Sequence, residues 1–426
     1  MRQRRRVEWN RLDNASKIFP AISNDKDTKV FRLVCELYEA VEPEILQQAL
    51  NVTIENYPLY KSILRRGVFW YYFENSEINP VVKIESNPAC APIYHKDERN
   101  LLFRVFYYNN RINFEVFHAL TDGTGALWFM QTLVYHYLLL RHKETFADKK
   151  PKLNYNASIS KQMDDSFGRY FVGKDILNPI NKNKEKKQNI RAYHIRGTRI
   201  DENRMKVIEG CMSAKAVLEK AHEYNTTLTI FIASLFIYSI YKEMPAREKN
   251  HPVILSVPIN LRKFFESETA RNFFSTMSAG YQFGKESTNF KDVIQSVSED
   301  FRKGLTEERL NTQINRLISL EKNPFARVIP LPLKDYSLNI ADQIRDSGIT
   351  AAISNIGQIS MPLEFDEAIK QFSVFTSARR PQICICSYGD KLVISFTSPF
   401  REAEIQRTFF ELLSKKGIEI EISSNL

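Results

Sequence analysis

The chain has 426 residues, of which 43% are hydrophobic and 26% are charged; this balance is ordinary for a folded globular protein and excludes a wholly disordered or fibrous chain. Sixty Lys and Arg residues against fifty Asp and Glu residues give a formal net charge of +10, which favours an anionic partner such as the phosphate groups of a small donor or of a carrier. The basic residues fit no zinc-finger, helix-turn-helix or RNA-binding pattern, so nucleic acid is not predicted as a partner.

In chain order, the first part of the sequence predicts a strand, a helix and then a sheet with hairpins. Residues 28–39 form a β-rich run, and residues 42–60 place apolar residues at helical spacing after an acidic, Pro-containing first turn. Short aromatic and branched runs predict strands at 68–74, 79–85, 101–108 and 112–118. The Asn109-Asn110 pair between the last two runs predicts a tight hairpin, because Asn tolerates a positive φ.

A polar, lysine-rich segment at 143–190 indicates a boundary between two lobes. A chain of this length is too long for one ordinary core and long enough for two domains. We therefore predict an N-terminal lobe at 1–175, a crossover linker at 176–190 and a C-terminal lobe at 191–426.

The second half predicts two consecutive helices and then a series of strands. Ser213 is a predicted helix cap, and the Asn225-Thr226-Thr227 sequence interrupts that helix before a second, apolar one. Strand patterns follow at 251–260, 272–283, 350–357, 372–377, 382–389 and 391–398, and a last helix pattern covers 403–416.

Cysteine content and hydropathy indicate a cytoplasmic protein without a membrane span. Five cysteines are few and odd in number, which is typical of reduced thiols in a reducing compartment. Cys384 and Cys386 alternate along a predicted strand, and no second pair completes a zinc site, so we predict packing residues and no metal site. The basic N-terminus has no secretory pattern, and the apolar segments 125–140 and 227–241 fall short of the ~18 uninterrupted apolar residues of a span.

A hairpin, a short loop and a helix occur in the same order in both halves of the sequence. When the two predicted turns are aligned, His118 falls on Ser398 and Asp122 falls on Glu402. This order predicts two similarly built lobes, of which only the first has an imidazole at the end of its strand.

The segment "HALTDGTGAL", which begins at His118, allows several interpretations. The Gly-Thr-Gly sequence at 123–125 begins a dinucleotide-binding fingerprint, but Trp128 occupies the third glycine position, where its bulk prevents close packing of helix and strand. Alternatively, His118 is a structural residue, Asp122 or Thr124 caps the next helix, and the glycine makes the turn.

In a third interpretation, His118 is a general base. Histidine has an unperturbed pKa near neutrality, so a His at the end of a rigid strand can remove a proton from a hydroxyl or amine as it attacks an acyl carbonyl. Asp122 can anchor the loop through an arginine and so fix the direction of the imidazole, while Gly123 keeps a substrate channel clear. The sequence contains no G-x-S-x-G, H-E-x-x-H, Walker or paired C-x-x-C pattern that competes for catalysis.

The sequence His118-Ala-Leu-Thr-Asp122-Gly123 resembles the H-x-x-x-D-G motif of the CoA-dependent acyltransferase superfamily, which includes chloramphenicol acetyltransferase, BAHD acyltransferases, condensation domains and alcohol acetyltransferases. The chain is most similar to the alcohol acetyltransferases, and the segments that carry this likeness are "RLDNASKIFP" (11–20), "VPINLRKFF" (257–265), "RNFFSTM" (271–277) and "ISNIGQISMP" (353–362). Phe117 stands where condensation domains have a second His, and the D-F-G-W-G segment of BAHD enzymes is missing.

The resemblance implies an α/β (α+β) fold of two similar chloramphenicol-acetyltransferase-like lobes, with mixed sheets flanked by helices and an active-site tunnel at the lobe interface. It implies an O-acyltransferase in which His118 is the general base, acetyl-CoA or another acyl-CoA is the co-substrate, a small alcohol is the acceptor and no cofactor is bound. Asp122 would be structural and pair with Arg262 of the other lobe. The candidates for contacts with the substrate or oxyanion are Asn272, Thr276, Ser354 and Asn355.

The sequence leaves other functions open. The acyl donor could be an acyl carrier protein, as in a condensation-type enzyme, or water could be the acceptor in a hydrolase. A non-catalytic member of the fold could instead bind a small molecule or a partner in the tunnel. The acceptor, the acyl chain length and the oligomeric state are not predicted.

Overall fold

The computed structural model describes residues 9–148, 150–153, 158–171, 191–284 and 286–425; the predicted crossover linker at 176–190 lies outside these residues. Strands in the described residues are β1 (Trp9–Arg11), β2 (Val30–Leu37), β3 (Ser62–Arg66), β4 (Tyr71–Asn75), β5 (Lys83–Ile84), β6 (Phe103–Tyr108), β7 (Arg111–Phe117), β8 (Lys206–Ser213), β9 (Val253–Asn260), β10 (Phe274–Tyr281), β11 (Ala351–Gln358), β12 (Ile369–Thr376), β13 (Gln382–Tyr388), β14 (Lys391–Ser398) and β15 (Glu421–Ser424). Helices there are α1 (Phe19–Ile22), α2 (Pro43–Glu55), α3 (Gly123–Arg141), α4 (Ile159–Gln162), α5 (Ser166–Arg169), α6 (Ala214–Glu223), α7 (Leu228–Glu243), α8 (Phe290–Gly304), α9 (Glu307–Lys322), α10 (Pro324–Val328), α11 (Leu331–Ser347) and α12 (Glu404–Ser414). The predicted α/β fold with mixed sheets flanked by helices is confirmed.

The first half is built on a five-stranded sheet with the order β12-β2-β7-β6-β5. Its central pair, β2 and β7, is antiparallel with Val30 opposite Phe117, so the start of β2 lies beside the end of β7. Asn109 has a φ of 51° at the turn between β6 and β7, as the predicted Asn-Asn hairpin requires. The helices α2 and α3 pack together over this sheet, and a hydrogen bond between Tyr57 of the segment after α2 and Thr132 of α3 joins them.

The second half is built on a seven-stranded sheet with the order β10-β9-β11-β13-β14-β8-β15. Along β13 the side chains alternate between two hydrophobic cores: Cys384 and Cys386 belong to the first core, and Ile383 and Ile385 belong to the second. The prediction that both cysteines face one side as packing residues is therefore confirmed. This alternation is what a strand of period two gives in a sheet that is covered on both faces.

One strand of the second half belongs to the sheet of the first half. β12 pairs antiparallel with β2, with Phe372 opposite Cys35, so residues 369–376 form an edge of the five-stranded sheet. The division of the chain at 175 and 191 stays a prediction, because the residues at that boundary lie outside the described ranges. Because β12 lies in the second half of the chain but pairs with the sheet of the first half, it holds the two halves together and so fixes the space between them.

Several elements were not among the predicted ones. The helices α8, α9 and α11 lie in 285–349, for which the sequence patterns gave no prediction, and β1, β3, β8 and β15 were also missed. The predicted strand at 68–74 begins only at Tyr71, because residues 68–70 form the tip of a hairpin in which Gly67 N–H donates to the carbonyl of Trp70.

None of the described helices alone is long and apolar enough to cross a membrane. The consecutive pair α6 and α7, bent by 79°, reaches the length and composition of a span only when its two helices are taken together.

Candidate functional site

A cavity of about 540 Å³ lies between the two halves. The first half contributes Phe19, Phe31 and His118 to its wall, and the second half contributes residues of β9, β10, β11 and β13. Of the residues that the sequence singled out, those that line the cavity are His118, Asp122, Gly123, Thr276, Ser354 and Asn355. The structure therefore brings segments that are far apart in the sequence to one cavity.

His118 is held rigidly at the point where β7 ends. Its backbone N–H donates to the carbonyl of Lys29 at 2.8 Å, which ties this residue to the start of β2. Phe19 stacks on the imidazole with the ring centroids 4.3 Å apart, and Phe31 and Phe274 lie 5.0 and 5.5 Å away. Burial among these rings lowers the pKa of His118 below 6.5, because the charged imidazolium loses its hydration. The imidazole is therefore neutral at pH 7.

Asn272 determines which ring nitrogen of His118 holds the proton. The Asn272 amide N–H groups donate to the carbonyl of His118 at 2.9 Å and to Ser16 Oγ at 2.9 Å, so the amide oxygen is the atom that faces the ring. This oxygen lies 3.2 Å from His118 Nδ1 and accepts its hydrogen. The proton therefore stays on Nδ1, and Nε2 has a free lone pair.

Asp122 lies just before α3 and accepts three hydrogen bonds. One carboxylate oxygen accepts from the backbone N–H of Gly125 at 3.0 Å and so caps the helix. The other oxygen accepts from Arg262 Nη1 at 2.8 Å and from the backbone N–H of Phe273 at 2.8 Å. Asp122 thus joins the loop of the first half to two segments of the second half, and the predicted contact with Arg262 is present.

All three nitrogens of the Arg262 guanidinium group donate hydrogen bonds within the protein. Its side chain is 6% exposed, and besides Asp122 it donates to the backbone carbonyls of Thr269 and Arg271. The guanidinium carbon also lies 5.4 Å from the centroid of the Trp128 ring on α3. A buried arginine with this many partners fixes the loop at 269–273, which contains Asn272.

Two glycines in the motif have different surroundings. A Cβ at Gly123 would lie 2.6 Å from Ile356 Cδ1, which is the flexible end of a side chain on the cavity wall. A Cβ at Gly125 would lie 2.1 Å from the backbone oxygen of Ala270, so only glycine permits α3 to approach this segment. The sequence predicted that Gly123 keeps a substrate channel clear. In the structure, the position that leaves less room for a side chain is Gly125.

The four predicted substrate or oxyanion residues differ in their hydrogen bonds within the protein and in their exposure to the cavity. Asn272 is 2% exposed and donates both of its N–H groups within the protein, so it has none left for an oxyanion. Asn355 donates to Thr229 Oγ1 at 2.8 Å and accepts from the N–H of Gly357. Thr276 and Ser354 line the cavity, and Thr276 is exposed. These two hydroxyls are the better candidates.

Sequence reasoning missed the aromatic residues around the imidazole and the part played by Ser16. Phe19 and Ser16 lie in the segment 11–20, which carried a resemblance to the family but no assigned residue. Asp13 accepts the backbone N–H of Ser16 at 2.8 Å and so fixes this segment beside Asn272. No local pattern announces such contacts, because they join residues that are far apart in the chain.

The cavity wall carries charges but no metal centre. Within the ranges that the structure describes, no group of three or more His, Cys, Asp or Glu side chains could hold a metal ion. Arg379 pairs with Asp27 at 3.4 Å and with Asp342 at 3.0 Å at one side of the cavity. Burial alone would raise the pKa of the Asp27 carboxyl, but Lys29 and Arg379 lower it below its ordinary value.

Comparison with solved structures identifies the fold. The chain is similar to polyketide synthase associated protein 5 from Mycobacterium tuberculosis (13% identity, TM-score 0.61, covering 95% of this chain and 96% of that one). It is also similar to a trichothecene 15-O-acetyltransferase from Fusarium sporotrichioides (10% identity, TM-score 0.62, covering 96% and 94%). A variant of the starter condensation domain of rhizomide synthetase in complex with C8-CoA is a third such structure (13% identity, TM-score 0.60, covering 95% and 93%).

These likenesses extend over nearly the whole chain, so the chain has the fold that condensation domains share with this acetyltransferase. No protein-family model matches the sequence, and no curated protein matches it.

Proposed function

We propose that the protein is an O-acyltransferase that moves an acyl group from an acyl-CoA to the hydroxyl of a small acceptor. The observation that carries this proposal is the contact between His118 Nδ1 and the amide oxygen of Asn272 at the wall of the cavity. From this contact we infer that the hydrogen is on Nδ1 and that the lone pair is on Nε2. A neutral imidazole with a fixed tautomer is suited to general base catalysis.

In the proposed reaction, the hydroxyl oxygen of the acceptor attacks the carbonyl carbon of the thioester. His118 Nε2 takes the hydroxyl proton as the new C–O bond forms, which gives a tetrahedral oxyanion and an imidazolium. The oxyanion then collapses, the C–S bond breaks, and Nε2 returns the proton to the departing thiolate. The products are an ester and a free thiol, and no acyl group is attached to the protein.

Asn272, Asp122 and Arg262 position the base in this account. Asn272 accepts the Nδ1 hydrogen throughout and stabilises the imidazolium that forms when Nε2 is protonated. Asp122 and Arg262 do not touch the ring; they hold the loop after His118 against the segment that contains Asn272. The position of the loop after His118 and the position of Asn272 therefore both depend on the ion pair between Asp122 and Arg262.

Thr276 is the first candidate for a donor to the oxyanion. It lies two residues after Phe274 on β10, so both side chains point to the same face of the strand. Phe274 contacts the imidazole, which places the Thr276 hydroxyl further along the same wall of the cavity. Ser354 of β11 is the second candidate, because it also lines the cavity.

The choice of an acyl-CoA as donor draws on the fold and on charge. The condensation domain with bound C8-CoA has this fold, and the trichothecene enzyme is an O-acetyltransferase by its description. Lys29 and Arg379 at the cavity pair with Asp27, and Lys263 is a further cation there. The chain has a formal charge of +10, which suits a phosphorylated donor.

The proposal is tested by incubating the purified protein with acetyl-CoA and longer acyl-CoA esters, with and without a panel of alcohols. Thiol release is followed with a thiol reagent, and the products are identified by mass spectrometry. We expect release that depends on the alcohol, one ester formed for each thiol, and a loss of ~10²-fold or more in His118→Ala.

Other outcomes would replace the proposal with a specific alternative. Free acid without ester would identify a thioesterase. Transfer from an acylated carrier protein but not from any acyl-CoA would assign a condensation-type donor. Equal rates in the wild type and in a folded His118→Ala variant would remove His118 from the chemistry.

A further inference from the structure

Helix α11 is attached to the protein along one face only. Leu331 is buried at its start, and Asp335 accepts a hydrogen bond from the Tyr71 hydroxyl at 2.8 Å. Asn339 donates to the carbonyl of Ala21, and Asp342 is buried and pairs with Arg379. These positions recur every three or four residues, so they define the inner face of the helix.

The opposite face of α11 is apolar and exposed. Leu333, Tyr336, Ile340 and Ile344 are 59%, 68%, 41% and 66% exposed, respectively. At ~100° per residue these four side chains lie within about 80° of one another around the helix axis. An exposed apolar row of this length on a water-facing helix marks an interaction site rather than a scatter of single surface residues.

The tip of the β3–β4 hairpin is a second exposed apolar patch, and it is anchored at the start of α11. Val68, Phe69 and Trp70 form the tip, and Val68 and Trp70 are 70% and 46% exposed. The tip is fixed to the start of α11, because Leu331 N–H donates to the carbonyl of Val68 and Lys334 Nζ donates to the carbonyl of Phe69. We call residues 68–70 together with Leu333, Tyr336, Ile340 and Ile344 the tip-and-helix surface.

Basic residues surround the hairpin end of this surface. Arg66 precedes the tip, Lys334 holds it, and Arg327 lies just before α11 and accepts from Lys334 through its carbonyl. Asp335 is the acid beside them, and it is engaged with the Tyr71 hydroxyl and with Arg66.

We propose that the tip-and-helix surface docks on an anionic lipid membrane. Exposed Trp and Tyr side chains beside Arg and Lys are the combination that lies at the boundary of headgroups and acyl chains. The cations around the tip complement anionic headgroups. A second copy of this chain is the alternative occupant, and the test below distinguishes it from a membrane.

The cavity and the hairpin tip lie at opposite ends of α11. Arg345 and Asp346, at the C-terminal end of α11, line the cavity, while Leu333 and the hairpin tip lie at the other end of the same helix. The docking itself goes beyond the proposed function and does not depend on it.

The test is sedimentation of the purified full chain with phosphatidylcholine vesicles and with vesicles that contain phosphatidylserine. We expect binding to the anionic vesicles, about tenfold weaker binding to the neutral ones, and a loss of at least about tenfold in the double variant Trp70→Ser/Leu333→Ser. Trp70→Phe should retain most of the binding, because Phe keeps an apolar ring at the tip. The exposed sites leave folding intact, which circular dichroism checks.

Leu363→Ser is the matched control, because Leu363 is 81% exposed and lies outside the tip-and-helix surface. It should bind vesicles as the wild type does. No sedimentation of the wild type, equal binding to both vesicle types, or wild-type binding by the double variant would overturn the proposal. A dimer in light scattering that the double variant abolishes would assign the surface to a second copy of the chain instead.

Discussion

The segment after β7 and the segment after β14 follow the same local plan, a hairpin strand that leads through a short loop into a helix. At the first, His118 borders the cavity, and Asp122 caps α3 and binds Arg262 of the other half. At the second, Ser398 is 1% exposed, and its hydroxyl accepts the backbone N–H of Phe400. The same architecture thus carries a cavity residue in one place and a local turn in the other.

The two acidic residues differ in the same way. Glu402, the counterpart of Asp122, is exposed and accepts the backbone N–H of Thr198 at 2.9 Å. It does not cap α12, which begins at Glu404 after Ala403 without a side-chain cap. In the part of the chain that the structure describes, Asp122 thus contacts Arg262 of the other half, whereas Glu402 contacts Thr198 of its own half.

Arg262→Ala should have the largest effect on stability, because it breaks the contact between the halves at the first segment. The variant leaves the buried Asp122 carboxylate without its cation, and we expect a loss of ~3–5 kcal/mol in the free energy of unfolding, with collapse of activity. Urea unfolding measures this loss. Arg401→Ala is the control, since Arg401 pairs with Asp201 at 2.7 Å on the surface and should lose at most ~1 kcal/mol. Equal losses in both variants would contradict the account.

Asn272→Ala should lower kcat by ~10–100-fold, because the Nδ1 hydrogen loses its acceptor and the imidazole its orientation. Asn272→Asp restores an acceptor and adds a negative charge beside the ring, so we expect the acidic limb of the pH profile to move to higher pH. The pH dependence of kcat/KM in both variants separates positioning from a purely structural role. An unshifted profile in Asn272→Asp would count against direct contact with the ring.

The pH dependence of the wild type follows from the lowered pKa of His118. We expect the acidic limb of kcat/KM to have its midpoint below 6.5. As the pH falls below 6.5, the unfolded chain binds a proton at this imidazole that the folded chain still excludes, so the free energy of unfolding decreases in that window. Urea unfolding of the wild type and of His118→Gln at about pH 7.5 and about pH 5.5 measures the difference, and a fall that is identical in both would contradict the assignment.

Glu402→Gln should have the smallest effect. The exposed side chain still accepts the N–H of Thr198 through its amide oxygen, so we expect a change of at most ~0.5 kcal/mol in unfolding and an unchanged kcat/KM. Asp122→Asn is the comparison, because it removes the negative partner of Arg262. A Glu402→Gln variant as impaired as Asp122→Asn would show that the two segments are not as different as their contacts indicate.

The sequence predicted the parts of the fold and site that have a local signal. The Asn109 hairpin and the motif from His118 to Gly123 are contiguous patterns, and the Arg262 contact followed from a resemblance. The buried residues of α8, such as Val293, Val297 and Phe301, also recur at helical spacing, so this helix was readable but was not predicted.

The rest of the site could not be predicted from local pattern. Phe19 and Asn272 reach His118 from segments 99 and 154 positions away, and the contact with Asn272 arises only when the two halves are packed. The strand β12 likewise pairs with the first sheet although it lies in the second half of the chain, and no local pattern predicts that crossing. The localisation remains a prediction from the sequence.

Whether His118 is the base is tested by kcat/KM for thiol release from an acyl-CoA in the presence of an alcohol acceptor. The value is measured for His118→Ala and for Ser398→Ala under the same conditions. We expect a fall of ~10²–10⁴-fold in the first variant and a value within about twofold of the wild type in the second. A folded His118→Ala variant that keeps wild-type kcat/KM would contradict the claim that this imidazole is the base.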